Sequence, residues 1–400
     1  MPSLMLFDDG LGQLAPLADL RASFDIRTGA KTTFARASAI YGQRPDALFV
    51  PPAIQALTSE RHSDIAVNHA VSNEPTLLVN GRCPLPSIDW MQLSVGEGLV
   101  EPGTQDLVAA CVAGSEAGPV VAGRRERLKV STLPAPALMN RPWHVRTHRD
   151  NAIRADLAVL TAHARPRALP GVTFIGSNPI LIHESARVSP GVILDAESGP
   201  IVIEEDAVVR PGSIIVGPVY VGPHATVLDR CLLKSFSAIG PYCKIAGEVG
   251  GTIFQGFANK AHDGHLGDSW VGEWANLGAG TTNSNLLNTY DQVICRATPS
   301  GPNERTGEQF LGAIIGDHVK LAICSRIMTG SILHTGCMFA QSAAVSGCVG
   351  AFTWATDAGT RSYRLDKFVE VARAVMGRRK IAPSAAYLAR LGQLHEACGT

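Results

Sequence analysis

A chain of 400 residues is long enough for two or three domains, each with a sizeable core. Its 35 Lys and Arg balance 35 Asp and Glu, so no net field draws it to nucleic acid or to an anionic membrane, and neither is expected as a partner. No stretch approaches the roughly 18 consecutive apolar residues of a membrane span, and Met1-Pro2-Ser3-Leu4 lacks the charged start of a signal peptide, so the expected location is cytoplasmic.

The nine Cys form an odd set without any C-x-x-C pair, which argues against a disulfide framework and a closed zinc site and for reduced thiols. With 40 Gly, 25 Pro and only 6% aromatic residues, the chain must turn often around small aliphatic side chains. That composition points to repetitive β structure.

In chain order, residues 1–148 carry short apolar runs at 4–7, 48–50, 76–79 and 107–112 between polar, Pro-containing segments, the pattern of an α/β domain. Residues 149–166 read as a helical connector, with an apolar stripe at Ile153, Leu157 and Leu160 closed by Arg165-Pro166. Residues 167–358 are dominated by a period of six. From Ile203 an aliphatic side chain recurs at Val209, Ile215, Val221, Val227, Leu233, Ile239 and Ile245, and the register resumes at Ile315, Leu321, Ile327, Leu333, Phe339, Val345 and Ala351. Four positions after each stands a small or modest residue, among them Ala207, Ser213, Ala225, Cys231, Cys243, Cys337 and Ala343. A period of six cannot be helical; it suits a short strand plus a turn, in which positions i and i+4 share a face. Three such sides close one coil of about 18 residues, and stacked coils bury the aliphatic row with the small residues in the corners. Cys231, Cys243 and Cys337 are then small core residues. Between Asn285 and Ile315 the hexads stop and turn-forming residues predict an excursion beside the prism. Residues 359–400 hold two amphipathic stripes, Leu365, Phe368, Val369, Ala372 and Val375, then Tyr387, Leu388, Leu391 and Leu394, expected to be helices that cap the repeat or meet a neighbouring chain.

Within the prism, Lys260-Ala261-His262-Asp263-Gly264-His265-Leu266-Gly267-Asp268 runs into Val271-Gly272-Glu273-Trp274-Ala275-Asn276-Leu277-Gly278-Ala279-Gly280-Thr281-Thr282-Asn283-Ser284-Asn285. This stretch resembles the acetyltransferase motif of bifunctional N-acetylglucosamine-1-phosphate uridyltransferase/glucosamine-1-phosphate acetyltransferases, in a divergent bacterial branch. The resemblance implies an α/β nucleotidyltransferase-like domain followed by an all-β left-handed parallel β-helix of hexapeptide repeats with C-terminal helices. It implies acetyl-coenzyme A as co-substrate, Mg²⁺ for the nucleotidyl step, sugar phosphate and nucleoside triphosphate as small-molecule partners, and a homotrimer.

Residue by residue, the resemblance makes His262 the catalytic base and gives the backbone N–H of Ala279 the oxyanion. It places Lys260, His265 and Asn276 at the amino sugar phosphate, His265 standing where the family has Tyr, and Ser284 and Asn285 at the acetyl donor. The chemistry agrees: acetyl transfer to an amine needs a base working near pH 7 and donors for the oxyanion. Glu248 is a candidate partner for His262, although a solvated Glu is the simpler account.

In the N-terminal domain, Gly10 and Gly12 in Asp8-Asp9-Gly10-Leu11-Gly12, with Arg21, Arg27, Asn80 and Gly81, are the expected nucleotide-binding residues. Arg82 in Asn80-Gly81-Arg82 stands where ordinary members carry the Asp that holds Mg²⁺. A guanidinium cannot ligate a divalent cation, which leaves Asp8 or Asp9 to supply a carboxylate. Two other readings compete: a nucleotidyltransferase with a structural β-helix, and a non-catalytic β-helix scaffold.

Overall fold

The computed structural model describes residues 2–69, 74–165 and 167–398. They form two compact units, the first made of Met1–Leu14, Leu20–Ile26 and Lys31–His144, the second of Ala15–Asp19, Arg27–Ala30 and Val145–Thr400.

The first unit is α/β. Its strands β1 (Ser3–Phe7), β2 (Ala47–Phe49), β3 (Ala66–Val67), β4 (Pro75–Asn80), β5 (Glu97–Val100), β6 (Leu107–Ala113) and β7 (Lys129–Thr132) form one sheet in the order β3-β2-β1-β4-β6-β5-β7. Pairing is parallel on the β3-β2-β1-β4 side, while β6 runs antiparallel to β4 and β5. The apolar runs are continuous because both faces are covered: Leu4, Leu6, Leu77 and Val79 join one core layer, and Met5, Phe7 and Leu78 the other. Helices α1 (Thr33–Tyr41), α2 (Pro52–Arg61) and α3 (Gly114–Val121) connect the strands. The ends of α1 are set locally: Thr32 Oγ1 accepts from Ala35 N (3.2 Å), and Gly42 closes the helix at φ 67°.

The second unit contains the left-handed parallel β-helix, whose three stacked sheets have ten, nine and six strands. Pairing follows the hexads. Val209 is opposite Val227, Val227 opposite Ile245, Ile203 opposite Val221, and Ile215 opposite Leu233, so each coil takes eighteen residues. The aliphatic row and the Cys231, Cys243 and Cys337 corners form one buried core, and all nine thiols are free. Each fully buried aliphatic side chain contributes about 1.5–3 kcal/mol, which makes the six-residue period energetically decisive.

The coil length changes where the motif begins. Ile239 pairs with Phe254 and Ile245 with Lys260, a coil of fifteen residues. Phe254 then pairs with Val271, seventeen residues on, and the step after that, Val271 to Ile315, encloses the excursion, a hairpin of Ile294–Cys295 against Glu304–Arg305. At the far end the hexad reading departs from the structure. Val349, rather than Ala351, pairs opposite Leu333, Ala355 lies opposite Phe339 and is buried, and Ala343 is exposed. The last coil shortens there before the hairpin of Thr353–Thr356 and Gly359–Ser362.

Left-handed corners carry bulky residues. The rings of His224, Tyr242, Phe257 and Trp274, all at φ between 54° and 63°, stack at 4.6, 4.9 and 4.5 Å down one edge, and such contacts offset the strain of that backbone region. Helix α4 (His144–Thr161) starts earlier than its apolar stripe suggests, because Arg146 and Arg149 in the added turns pair with Asp268 at 3.1 and 2.7 Å. Pro166, the expected stop, lies outside the described residues. Helix α5 (Leu365–Gly377) buries Phe368, Ala372 and Met376, with Phe368 edge-on to His318 and Phe352. Helix α6 (Ala385–Cys398) buries Leu391 and brings Tyr387 Oη to 2.7 Å from His318 Nε2. No helix among the described residues is long and apolar enough to cross a membrane.

Candidate active site

His262 sits in the turn between the strands Asn259–Lys260 and His265–Gly267. Its side chain is exposed and makes no hydrogen bond or ion pair among the described residues. It lines a cavity of about 590 Å³ with Lys244, Phe257, Trp274, Asn276 and Arg379. The register explains the grouping. Lys244 pairs with Asn259 and Asn259 with Asn276, so the three stack in one outward column of a sheet. Thus two of the motif residues, the imidazole and the Asn276 amide, share a concave surface.

Lys260 does not present its ammonium there. It takes the inward position after Ile245 in the shortened coil and is buried. Its Nζ donates to the carbonyls of Ala246 (3.2 Å), His262 (2.6 Å) and Asp263 (3.2 Å), and burial pulls its pKa down to about 8. The lysine therefore pins the turn that displays His262.

His265 lies on the neighbouring face, opposite Glu248 in the ladder, with Nδ1 3.4 Å from Glu248 Oε1. Lys234 Nζ is 3.0 Å from the same oxygen, and the Lys234 hydrogen bond, with the His265 ring beside it, holds Glu248 below the usual carboxylate range. Glu248 thus pairs with Lys234 and His265, not with His262.

Asn285 Nδ2 donates to Asp268 Oδ2 (2.8 Å), and Ser284 Oγ accepts from Thr329 Oγ1 (2.8 Å). These two line a second cavity of about 470 Å³ with Arg326 and Met328. His265 and Asn285 flank Gly267, where a methyl group would come within 2.6 Å of His265 Nε2 and 2.7 Å of Asn285 Nδ2. Ala279 occupies the corner after Leu277, its carbonyl accepting from Cys324 N at 2.6 Å. Within the single chain, therefore, His262 and Asn276 face one hollow, Ser284 and Asn285 another. The residues that the sequence reading missed are Lys244, Arg378 and Arg379, the last two directly after α5. Their signal was the basic run Arg378-Arg379-Lys380 following an amphipathic stripe.

In the first unit the expected nucleotide-binding residues form a closed network. Gly10 N and Ser23 N donate to Asp8 (3.0 and 2.7 Å), and Leu11 N donates to Asp9 (3.1 Å). Burial, with Asp9 adjoining, raises the Asp8 pKa. Asn80 Nδ2 donates to Asp9 Oδ2 (2.8 Å) and Leu107 O (2.7 Å), while Gly81 N donates to Phe7 O. Arg82 is fully buried: Nε and Nη2 grip Asp9 at 2.8 and 2.7 Å, Nη2 also reaches Asp106 (2.8 Å), and Nη1 donates to Asn140 Oδ1. A methyl group at Gly12 would come within 2.9 Å of Arg82 Cδ, so that glycine makes room for the arginine. Arg21 is buried. Arg27 belongs to the second unit, where its N donates to Gln255 Oε1 (2.8 Å) and its carbonyl accepts from Trp270 Nε1 (3.1 Å). The cation between the Asp9 and Asp106 carboxylates is thus a guanidinium. Among the described residues no cluster of three or more His, Cys, Asp or Glu is placed to hold a metal ion, so the side chains present do not make a Mg²⁺ cage.

Residues 4–165 match the family model described as sugar nucleotidyl transferase. The bifunctional protein GlmU of Nostoc sp. (strain PCC 7120 / SAG 25.82 / UTEX 2576) is 29% identical over 182 residues, covering 40% of this chain and 40% of its own. A bifunctional sugar-1-phosphate nucleotidylyltransferase/acetyltransferase of Sulfurisphaera tokodaii is 30% identical over 109 residues, covering 27% of this chain and 26% of its own. The chain spans at most about two fifths of the length of these curated relatives. Among solved structures, the acetyltransferase domain of PglB from Neisseria gonorrhoeae FA1090 aligns with 59% of this chain and 71% of its own at 16% identity, with a TM-score of 0.19.

Proposed function

We propose, from the match of residues 4–165 to sugar nucleotidyl transferases and the similarity to GlmU-type bifunctional proteins, that the chain is a sugar-nucleotide biosynthesis enzyme. Its β-helix N-acetylates an amino sugar 1-phosphate from acetyl-coenzyme A. Its N-terminal unit then joins the sugar phosphate to a nucleotide with release of pyrophosphate. The observation that carries the first activity is the unpartnered His262 imidazole in a hollow shared with the Asn276 amide and bordered by cations.

The acceptor nitrogen attacks the thioester carbonyl while His262 takes up its proton, and collapse of the tetrahedral adduct breaks the C–S bond and expels coenzyme A thiolate, which receives that proton from His262. Lys260 keeps the His262 turn in place through its three carbonyl contacts. Ser284 and Asn285, in the other hollow, serve the acetyl donor. The assembly we assign is a cytoplasmic homotrimer, in which the donor hollow of one protomer would serve the acceptor hollow of its neighbour. In the N-terminal unit Mg²⁺ belongs to the nucleoside triphosphate, as its counter-ion.

Thiol release from acetyl-coenzyme A in the presence of glucosamine 1-phosphate tests the reading. His262→Ala is expected to lower kcat by roughly 10²–10⁴-fold with pyrophosphate release unchanged. Thiol release indifferent to His262 sinks it. The match of residues 4–165 to sugar nucleotidyl transferases favours a second reading, nucleotidyl transfer alone on a structural β-helix. It predicts pyrophosphate release without thiol release.

A further inference from the structure

The 590 Å³ hollow beside His262 has an unusual charge balance. Lys244, Arg378 and Arg379 all line it, and no carboxylate does. The side chains of Lys244 and Arg378 make no hydrogen bond or ion pair among the described residues. Arg379 is planted at the rim, with Nη2 donating to Tyr242 O (3.2 Å) and Asn259 Oδ1 (3.4 Å), neither of which neutralises it. Three cations gathered in a concave site without a counter-charge repel one another, and their mutual placement is favourable once an anion sits between them. Phe257 and Trp274, neighbours in the ring ladder at 4.5 Å, give the same hollow an apolar wall suited to the C–H face of a sugar.

We propose that the segment ending α5 is part of the acceptor site: Arg378 and Arg379, with Lys244 from the β-helix, seat the phosphate of the phosphorylated amino sugar whose amine faces His262. The proposal rests on the acetyl-transfer reading for the acceptor's identity, and replaces Lys260, whose Nζ is turned to backbone carbonyls, as the phosphate partner. The size of the hollow selects the acceptor over the donor. A volume of about 590 Å³ is roughly 10 Å across, room for one phosphorylated sugar. The phosphates of coenzyme A are held away from its thioester by the whole pantetheine arm, so a donor reacting next to His262 places them outside this space.

The test is isothermal titration of the full chain with glucosamine 1-phosphate, unphosphorylated glucosamine and coenzyme A, run beside the thiol-release assay. Wild type is expected to prefer the phosphorylated sugar. Arg378→Gln and Arg379→Gln are each expected to weaken it about 10- to 100-fold, the range of a lost charged hydrogen bond, with coenzyme A affinity changed less than about twofold. Arg379→Lys is expected to retain part of the binding. Unchanged glucosamine 1-phosphate affinity in both Gln variants, a loss confined to coenzyme A, or no preference for phosphate in wild type overturns the proposal. The two readings separate cleanly. Phosphate-dependent binding that falls in the variants without thiol release from wild type removes acetyl transfer and keeps the seat. Thiol release with an unaltered KM in the variants removes the seat and keeps acetyl transfer.

Discussion

Two groups of positive charge in this chain behave oppositely. In the α/β unit, Arg82 is buried with its donors spent on Asp9, Asp106 and Asn140. In the β-helix unit, Lys244 and Arg378 border a hollow with no acid to receive them. The first arrangement is closed: two aspartates and an arginine hold the 8–12 loop and the end of β4 in one conformation, and each group offsets the desolvation of the others. The second is open, and an open charge in a concavity is a request for a ligand. A basic side chain therefore says little about binding until its partners are counted, and Lys260, buried yet bonded to three carbonyls, belongs with the closed class.

The largest effect expected from breaking this contrast is at Arg82. Arg82→Met leaves the buried Asp9 carboxylate and the half-buried Asp106 without a cation and is expected to cost about 3–5 kcal/mol in urea unfolding of the full chain. A loss below about 1 kcal/mol would mean the network is not closed. Lys260→Met comes next, with about 1–3 kcal/mol lost at pH 7 as three carbonyls lose a donor. It also carries a pH signature. The folded-state value near 8 lies below the ordinary 10.5, so between those values the unfolded chain holds more protons. Wild type should accordingly gain stability over the Met variant as pH rises from about 8 to 10.5, and a flat difference across that window contradicts the burial argument.

Lys234→Ala removes a half-exposed pair with Glu248, worth less than about 1 kcal/mol, and should raise the Glu248 titration followed by NMR towards its ordinary value. The smallest effect is expected at Lys244. Lys244→Gln should change stability by no more than about 0.5 kcal/mol, because no side-chain hydrogen bond or ion pair is lost, and a larger loss would place Lys244 in the closed class.

The six-residue period of the aliphatic row, the buried thiols at its corners and the turn-rich excursion were all legible in the sequence, because each coil repeats the same local demand: an inward aliphatic, a small corner residue, a turn. The same reasoning failed where coils change length. Counting by six carries the inward row from Ile245 past Lys260, yet the fifteen-residue coil puts Lys260 in that slot and turns a presumed surface cation into an internal brace. A motif continuous in sequence likewise divided between two hollows, since Asn276 and Asn285 fall on different sides of the prism. Nor does any local pattern bring Arg378 and Arg379 to Lys244, or Asp106 and Asn140 to Arg82. Periodicity is a property of neighbours and near repeats, so the chain alone determined the column and its core. Which charges meet, and which are left open, was decided by contacts between segments far apart in the chain, where only the packed structure sets the distances.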